Sequence, residues 1–191
     1  MPAVSTAKMT AAQFFELGED PPGVRLELVD GEIEVSPSSI PRHSFAERRL
    51  STLLDNHIQR YDLGELYGDV DTIFGEFDVR RPDLIFFRKD RLHLIGEKAM
   101  QGQPDLCVEI ISPSSAATDR QRKFEQYAKG GVAHYWIVDP RTHPRKLTIE
   151  AWRLEGGAYV PCGRGEGAAV VQLPPFPDLP IPLTRLWQPR R

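Results

Sequence analysis

Two carboxylates in this sequence stand where a carboxylate is costly. Glu109 lies inside Leu-Cys-Val-Glu-Ile-Ile (106–111), and Asp83 stands at the mouth of Leu-Ile-Phe-Phe (84–87). An ionised carboxylate in a buried strand is unfavourable unless a cation or several donors compensate it. Side chains alternate along a strand, so Cys107, Glu109 and Ile111 share one face and Leu106, Val108 and Ile110 the other. If the two apolar runs are neighbours in a sheet, Asp83 and Glu109 converge on one point. Together with the backbone carbonyl of Ile110 they form a hard oxygen site suited to Mg²⁺, with Mn²⁺ as a substitute.

A lysine supplies a third group. In the segment after the Glu109 run, Arg120, Lys123 and Tyr127 share one stripe of a helix. Phe124 and Ala128 form the adjacent apolar stripe expected to face the sheet, which leaves Lys123 at the border of buried and exposed. Its flexible ammonium can reach back to a metal-bound water or to a phosphate. The same pattern also suits a structural ion pair. His43, at a helix start, reads either as a partly exposed polar residue or as a supporting group. Glu27 shares a hairpin face with Glu32 and Glu34 that reads as solvated, with Glu27 as a further supporting candidate. No P-loop, GxGxxG, HExxH or GxSxG is present, so nucleotide-driven, dinucleotide-dependent and serine-hydrolase chemistry lack support. An acid pair working on a glycoside finds no aromatic-rich cleft here.

The elements that must position these groups follow from pattern. Thr10-Ala11-Ala12-Gln13 is a capping box opening a short helix. Asp30-Gly31 lies between two alternating runs, which is a hairpin signal. A two-residue turn there sets Val29 opposite Glu32, Leu28 opposite Ile33 and Glu27 opposite Glu34. Leu26, Leu28, Ile33 and Val35 are then expected on the buried face. Phe45, Ala46, Leu50, Leu53, Leu54 and Ile58 recur at helical spacing from about Arg42 to Tyr61. Strands follow between Glu65 and Phe87, then a charged connector from Arg88 to Gln103, then the Glu109 strand. Thr118-Asp119-Arg120-Gln121 reads as a second capping box, and Gly130-Gly131 ends its helix. A strand at Val132–Val138 and a hairpin around Gly156-Gly157 complete the core.

Strands separated by single helices, with hairpins at both ends, predict an α/β (α+β mixed) fold with a central mixed sheet flanked by helices. The chain has 191 residues, 40% of them apolar, which suits a single domain over 1–191. Its core is expected over about 10–160, with a Pro-rich tail, 174–191, laid over it. No run approaches the length of a membrane span and the N-terminus has no apolar leader, so the expected location is cytoplasmic. Cys107 and Cys162 form neither a disulfide framework nor a metal pair. The net charge of -3 gives no electrostatic footprint for nucleic acid; local basic groups would have to do the steering.

Several spaced motifs in one order resemble the Uma-two family of restriction-endonuclease-like proteins. They are Arg-Leu-Glu-Leu-Val-Asp-Gly-Glu-Ile (25–33), Pro-Arg-His (41–43), Arg-Pro-Asp-Leu (81–84), Pro-Asp-Leu-Cys-Val-Glu-Ile-Ile-Ser-Pro-Ser (104–114), Asp-Arg-Gln-Arg-Lys-Phe-Glu-Gln-Tyr-Ala (119–128) and Gly-Val-Ala-His-Tyr-Trp-Ile-Val-Asp-Pro (131–140). The resemblance implies a PD-(D/E)-x-K nuclease core and metal-dependent hydrolysis of DNA. Pro82-Asp83 matches the "PD" and Glu109 the acidic residue of the second element. The usual lysine position is Ile111 here, and in this family the lysine is displaced to the following helix, at Lys123. Glu27 and His43 match recurrent family positions. A homodimer is expected, since duplex cleavage needs two sites. The alternative is a catalytically silent member that binds DNA or serves in assembly.

Overall fold

The computed structural model describes residues 8–36, 39–112, 116–140 and 146–187. Most of residues 112–115, which read from sequence as a loop, most of the basic stretch 141–146 and the end of the Pro-rich tail, 188–191, lie outside them. Helix α1 (Ala11–Glu16) opens on the predicted capping box, with Thr10 and Gln13 bonding each other's backbone N–H. Strands β1 (Arg25–Val29) and β2 (Glu32–Ser36) pair in the predicted register. Asp30 and Gly31 both take positive φ, 55° and 80°, as in the type I′ turn whose twist matches its strands.

The faces of this hairpin differ from expectation. Leu28 is fully buried, but Ile33 and Val35 are 43% and 66% exposed, and Glu27 on the supposedly solvated face is only 3% exposed. Two later strands explain it. β4 (Thr72–Gly75) and β5 (Asp78–Arg80) join the hairpin in a four-stranded antiparallel sheet, ordered β2-β1-β5-β4. β2 is left at the edge with little to pack against, while α1 covers Leu28 and Val79. The buried Arg80 at the end of β5 draws Glu27 inward as its counter-ion.

The main sheet has six strands. Helix α2 (Pro41–Arg60) and β3 (Gly64–Tyr67) precede β6 (Leu84–Arg88) and β7 (Leu106–Ile110). After α3 (Lys123–Gly130) come β8 (His134–Asp139), β9 (Thr148–Glu155) and β10 (Ala158–Glu166). The order is β10-β9-β8-β7-β6-β3, antiparallel throughout except for the parallel pair β7 and β8. Two cores form on its faces, divided as strand alternation requires. Leu106, Val108 and Ile110 pack with Ala46, Leu50, Leu54 and Ile58 of α2. Cys107 and Ile111 pack with Tyr135, Ile137 and Tyr127 of α3.

The predicted cap at Thr118 does not form. Residues 116–117 are already helical, and Thr118–Arg122 is a wide π-type turn without a side-chain cap bond, running directly into α3. That turn rotates the stripes. Lys123 and Tyr127 face the sheet and are buried, while Phe124 packs at the margin against Tyr135, Trp152 and Tyr159. Gly131, in the left-handed region at φ 86°, ends α3 as foreseen. The Pro-rich segment does more than cover the core. β11 (Val170–Leu173) and β12 (Phe176–Pro182) pair as a hairpin, and Leu173, Phe176, Ile181, Leu183 and Leu186 belong to the α2-side core.

Candidate functional site

The chemistry-bearing residues meet where the two sheets adjoin. β6 and β7 are antiparallel neighbours with Leu84 opposite Val108, and continuing that register by one residue sets Asp83 against Glu109. Asp83 Oδ2 accepts the Ile110 backbone N–H at 2.6 Å and lies 3.1 Å from His43 Nε2. On the α3 face of the sheet, Lys123 Nζ donates to Glu109 Oε2 at 2.8 Å and the Tyr127 hydroxyl donates to Oε1 at 2.7 Å. Helix α2 brings His43 and, one turn on, Glu47, whose Oε2 is 3.6 Å from His43 Nδ1.

Asp83, Glu109, Ile110, Lys123, Glu27 and His43 all line one cavity of about 60 Å³. Tyr127 lies behind it as the second donor to Glu109. Arg120 is not among the lining residues: its guanidinium reaches Glu150 at 2.8 Å and Asp139 at 3.6 Å. The π-type turn breaks the expected Arg120–Lys123–Tyr127 stripe, because its wider repeat carries Arg120 off the helix face that α3 presents.

The electrostatics follow from burial and pairing. Burial pushes the Glu109 carboxyl up to about 8, with Asp83 and Asp119 adding to the shift and Lys123 opposing it. Burial also disfavours the Lys123 ammonium, but Glu109, Glu27, Asp119 and Asp83 outweigh it and hold the lysine well above its ordinary range. Glu27 goes the other way. Its burial is overcome by Lys123, Arg80 and the Arg81 backbone N–H, so its carboxyl titrates below the ordinary value. Burial of His43 is outweighed by Asp83, then Glu47 and Asp119, which favour the imidazolium.

Three residues escaped the sequence reading. Asp119 is 1% exposed, lines the same cavity and stands 3.3 Å from Lys123 Nζ. Its place four residues before Lys123 was a usable signal, hidden by the resemblance to a cap. Glu47 follows His43 at the same spacing, and His43, Glu47 and Asp83 each offer an atom within 4.8 Å of the others. Arg80 bonds Glu27 at 2.9 Å and Gln126 at 2.8 Å; an Arg-Arg doublet before proline looks like solvated surface and gave no signal.

The donor set fits a hard divalent cation. Carboxylates crowd a small cavity, Lys123 is shared between Glu109 and Asp119, and both Asp119 oxygens are buried without a hydrogen bond among the described residues. Arg25 and Arg81, also in the lining, are engaged by Asp69 and by Asp71 and Asp20. Such a surplus of buried negative charge is what a hard cation offsets.

The fold and the family of this chain have counterparts among known proteins. A structure described as "Crystal structure of a putative nuclease belonging to DUF820 from Anabaena variabilis ATCC 29413" superposes with a TM-score of 0.74 at 21% identity, covering 94% of this chain and 97% of that one. The two share the mixed, helix-flanked sheet of the restriction-endonuclease-like fold. A comparison with curated proteins finds no match. The family model Uma2, described as "Putative restriction endonuclease", matches residues 11–184. Covering nearly all of the sequence, that match places the chain in the Uma2 family.

Proposed function

We propose that the protein is a divalent-cation-dependent endonuclease that hydrolyses phosphodiester bonds in DNA, with Asp83, Glu109 and Lys123 as its catalytic groups. The observation that carries this reading is the buried Lys123–Glu109 pair, 2.8 Å apart, opening on the same cavity as Asp83. Asp83, Glu109 and the Ile110 carbonyl would hold Mg²⁺ or Mn²⁺. When bound, the cation supplies a Lewis acid and lowers the pKa of a coordinated water. Lys123 neutralises charge that develops on the phosphate. Tyr127 fixes the Glu109 carboxylate by bonding its other oxygen, Glu27 keeps Arg80 and the Arg81 backbone in place, and His43 holds Asp83 from the α2 side. The proposal includes a cytoplasmic homodimer, which light scattering would test.

The test is cleavage of plasmid DNA with Mg²⁺ or Mn²⁺, comparing the native protein with Asp83→Ala and Lys123→Ala. Both variants are inactive if the assignment holds, and cleavage that persists in both removes it. A second reading, a silent member that binds DNA without cutting it, draws on two observations. The arginines around the cavity, Arg25 and Arg81, are committed to carboxylates of the protein itself, and the net charge is -3. Calorimetry separates the two: duplex binding with no metal uptake selects the silent protein.

Among the described residues, no helix is long and apolar enough to cross a membrane.

A further inference from the structure

Asp119 is the side chain that neither the fold nor the proposed chemistry accounts for. It is 1% exposed, and among the described residues neither carboxylate oxygen has a hydrogen-bond partner. Its nearest cation, Lys123 Nζ, stands 3.3 Å from Oδ1 but makes its hydrogen bond, at 2.8 Å, to Glu109. A buried carboxylate left this way costs stability, since the lost hydration of its oxygens is not replaced. The backbone makes a local departure to place it there. Thr118–Arg122 is a π-type turn in an otherwise α-helical segment, a geometry found frequently at functional sites. The cavity it lines is the one shared by Asp83, Glu109 and Lys123.

We infer that Asp119 holds the water shell of the bound cation, as a positioning residue for the site. The inference rests on the cation-dependent reading above. Mg²⁺ keeps several of its waters and takes only one or two carboxylates directly. Among the described residues the trio with ligand atoms mutually within 4.8 Å is His43, Glu47 and Asp83, so Asp119 is not drawn into direct ligation with two other side chains. Its open oxygens are acceptors for the hydrogens of coordinated water. A coordinated water held by this carboxylate would have its orientation set by it. Lys123, one helical turn on, stands 3.3 Å from the carboxylate and keeps it in place.

Mn²⁺ alone is the probe, with uptake followed by calorimetry and by the loss of its free-ion paramagnetic signal. Asp83→Asn reports on the cation site itself and Asp119→Asn on the inference. We expect Mn²⁺ uptake by the native protein, loss of uptake in Asp83→Asn, and affinity about 10–100-fold weaker in Asp119→Asn, the usual effect of removing an outer partner. Without metal, Asp119→Asn should still fold, because among the described residues no hydrogen bond of the fold depends on its oxygens. Native affinity in Asp119→Asn, with uptake lost in Asp83→Asn, overturns the inference and leaves the cation reading standing. No uptake by the native protein overturns both. Asp119→Ser guards against a poor fit of the amide. If both Asp119 variants unfold without metal, Asp119 is a structural residue and the inference falls.

Discussion

Two glutamates in one cavity are tuned in opposite directions, and their effects on stability should oppose each other. The Glu27 carboxyl titrates below its ordinary value of 4.5 in the folded protein. The folded state therefore holds that proton less tightly than the unfolded chain. Its contribution is present above pH 4.5 and is lost as pH falls through the folded value. Glu109 is raised to about 8 by burial. Its contribution is greatest below its ordinary value and is lost as pH climbs through about 8. Melting temperatures across pH should show Glu27→Gln flattening the acid limb and Glu109→Gln flattening the alkaline one. Lys123→Met tests the pair directly. It removes the ammonium while filling similar volume, so Glu109 keeps only Tyr127. Because Glu109 can then take up a proton, the loss should be about 1–3 kcal/mol, as for a buried group short of one partner, and not the larger cost of a stranded charge. Urea unfolding measures it. At this scale the sequence was readable where burial and charge conflict within a strand, at Asp83 and Glu109. It was unreadable at Asp119, because Thr-Asp-Arg-Gln has the composition of a helix cap and composition does not report a π-type turn.

At the scale of elements, the hairpin of β1 and β2 shows what local chemistry decides and what it leaves to the rest of the chain. The Asp-Gly turn determines which residues stand opposite one another, and all five pairs follow from it. Which face is buried depends on β4, β5 and Arg80, which lie some fifty residues downstream. Substitutions should read out this division. Val35→Thr, on the exposed edge, should change stability by no more than about 0.5 kcal/mol. Leu28→Ala, on the same nominal face but beneath α1, should cost about 2–5 kcal/mol. Equal effects in chemical denaturation would contradict the packing. The segment from 116 to 130 teaches the same lesson for helices. Lys123 and Tyr127 were placed correctly on one side of a helix, but the side that meets the sheet was assigned to Phe124 and Ala128. An aromatic and an alanine are the natural choice for a buried face. Here the sheet offers a glutamate at that point, so the lysine and tyrosine go inward instead.

For the whole molecule, the mixed sheet and its two helix-covered faces were legible from alternating apolar runs and single intervening helices. The extent of the core was not. A Pro-rich stretch looks like a covering strap, yet Phe176 meets Phe86 and Trp136 edge-on, with ring centroids 4.9 Å and 6.2 Å away. A chain ending at residue 166 would lose Leu173, Phe176, Ile181 and Leu183 from the α2-side core. We expect it to lack a cooperative melting transition by circular dichroism, whereas a native-like transition would mean that the strap is dispensable. The parallel pair, β7 beside β8, has a consequence for how the site comes into being. Parallel neighbours cannot be joined by a tight turn, so the chain must cross over between them, and that crossover carries Asp119, Lys123 and Tyr127. Asp83 arrives by a different route, from β6 on the other side of β7. The cavity therefore closes only after a long loop has been closed and the centre of the sheet assembled, which makes it a late event in folding. A partly folded chain holds the carboxylates apart, so the cation affinity and hydrolytic capacity proposed for the site would not exist before the molecule is whole.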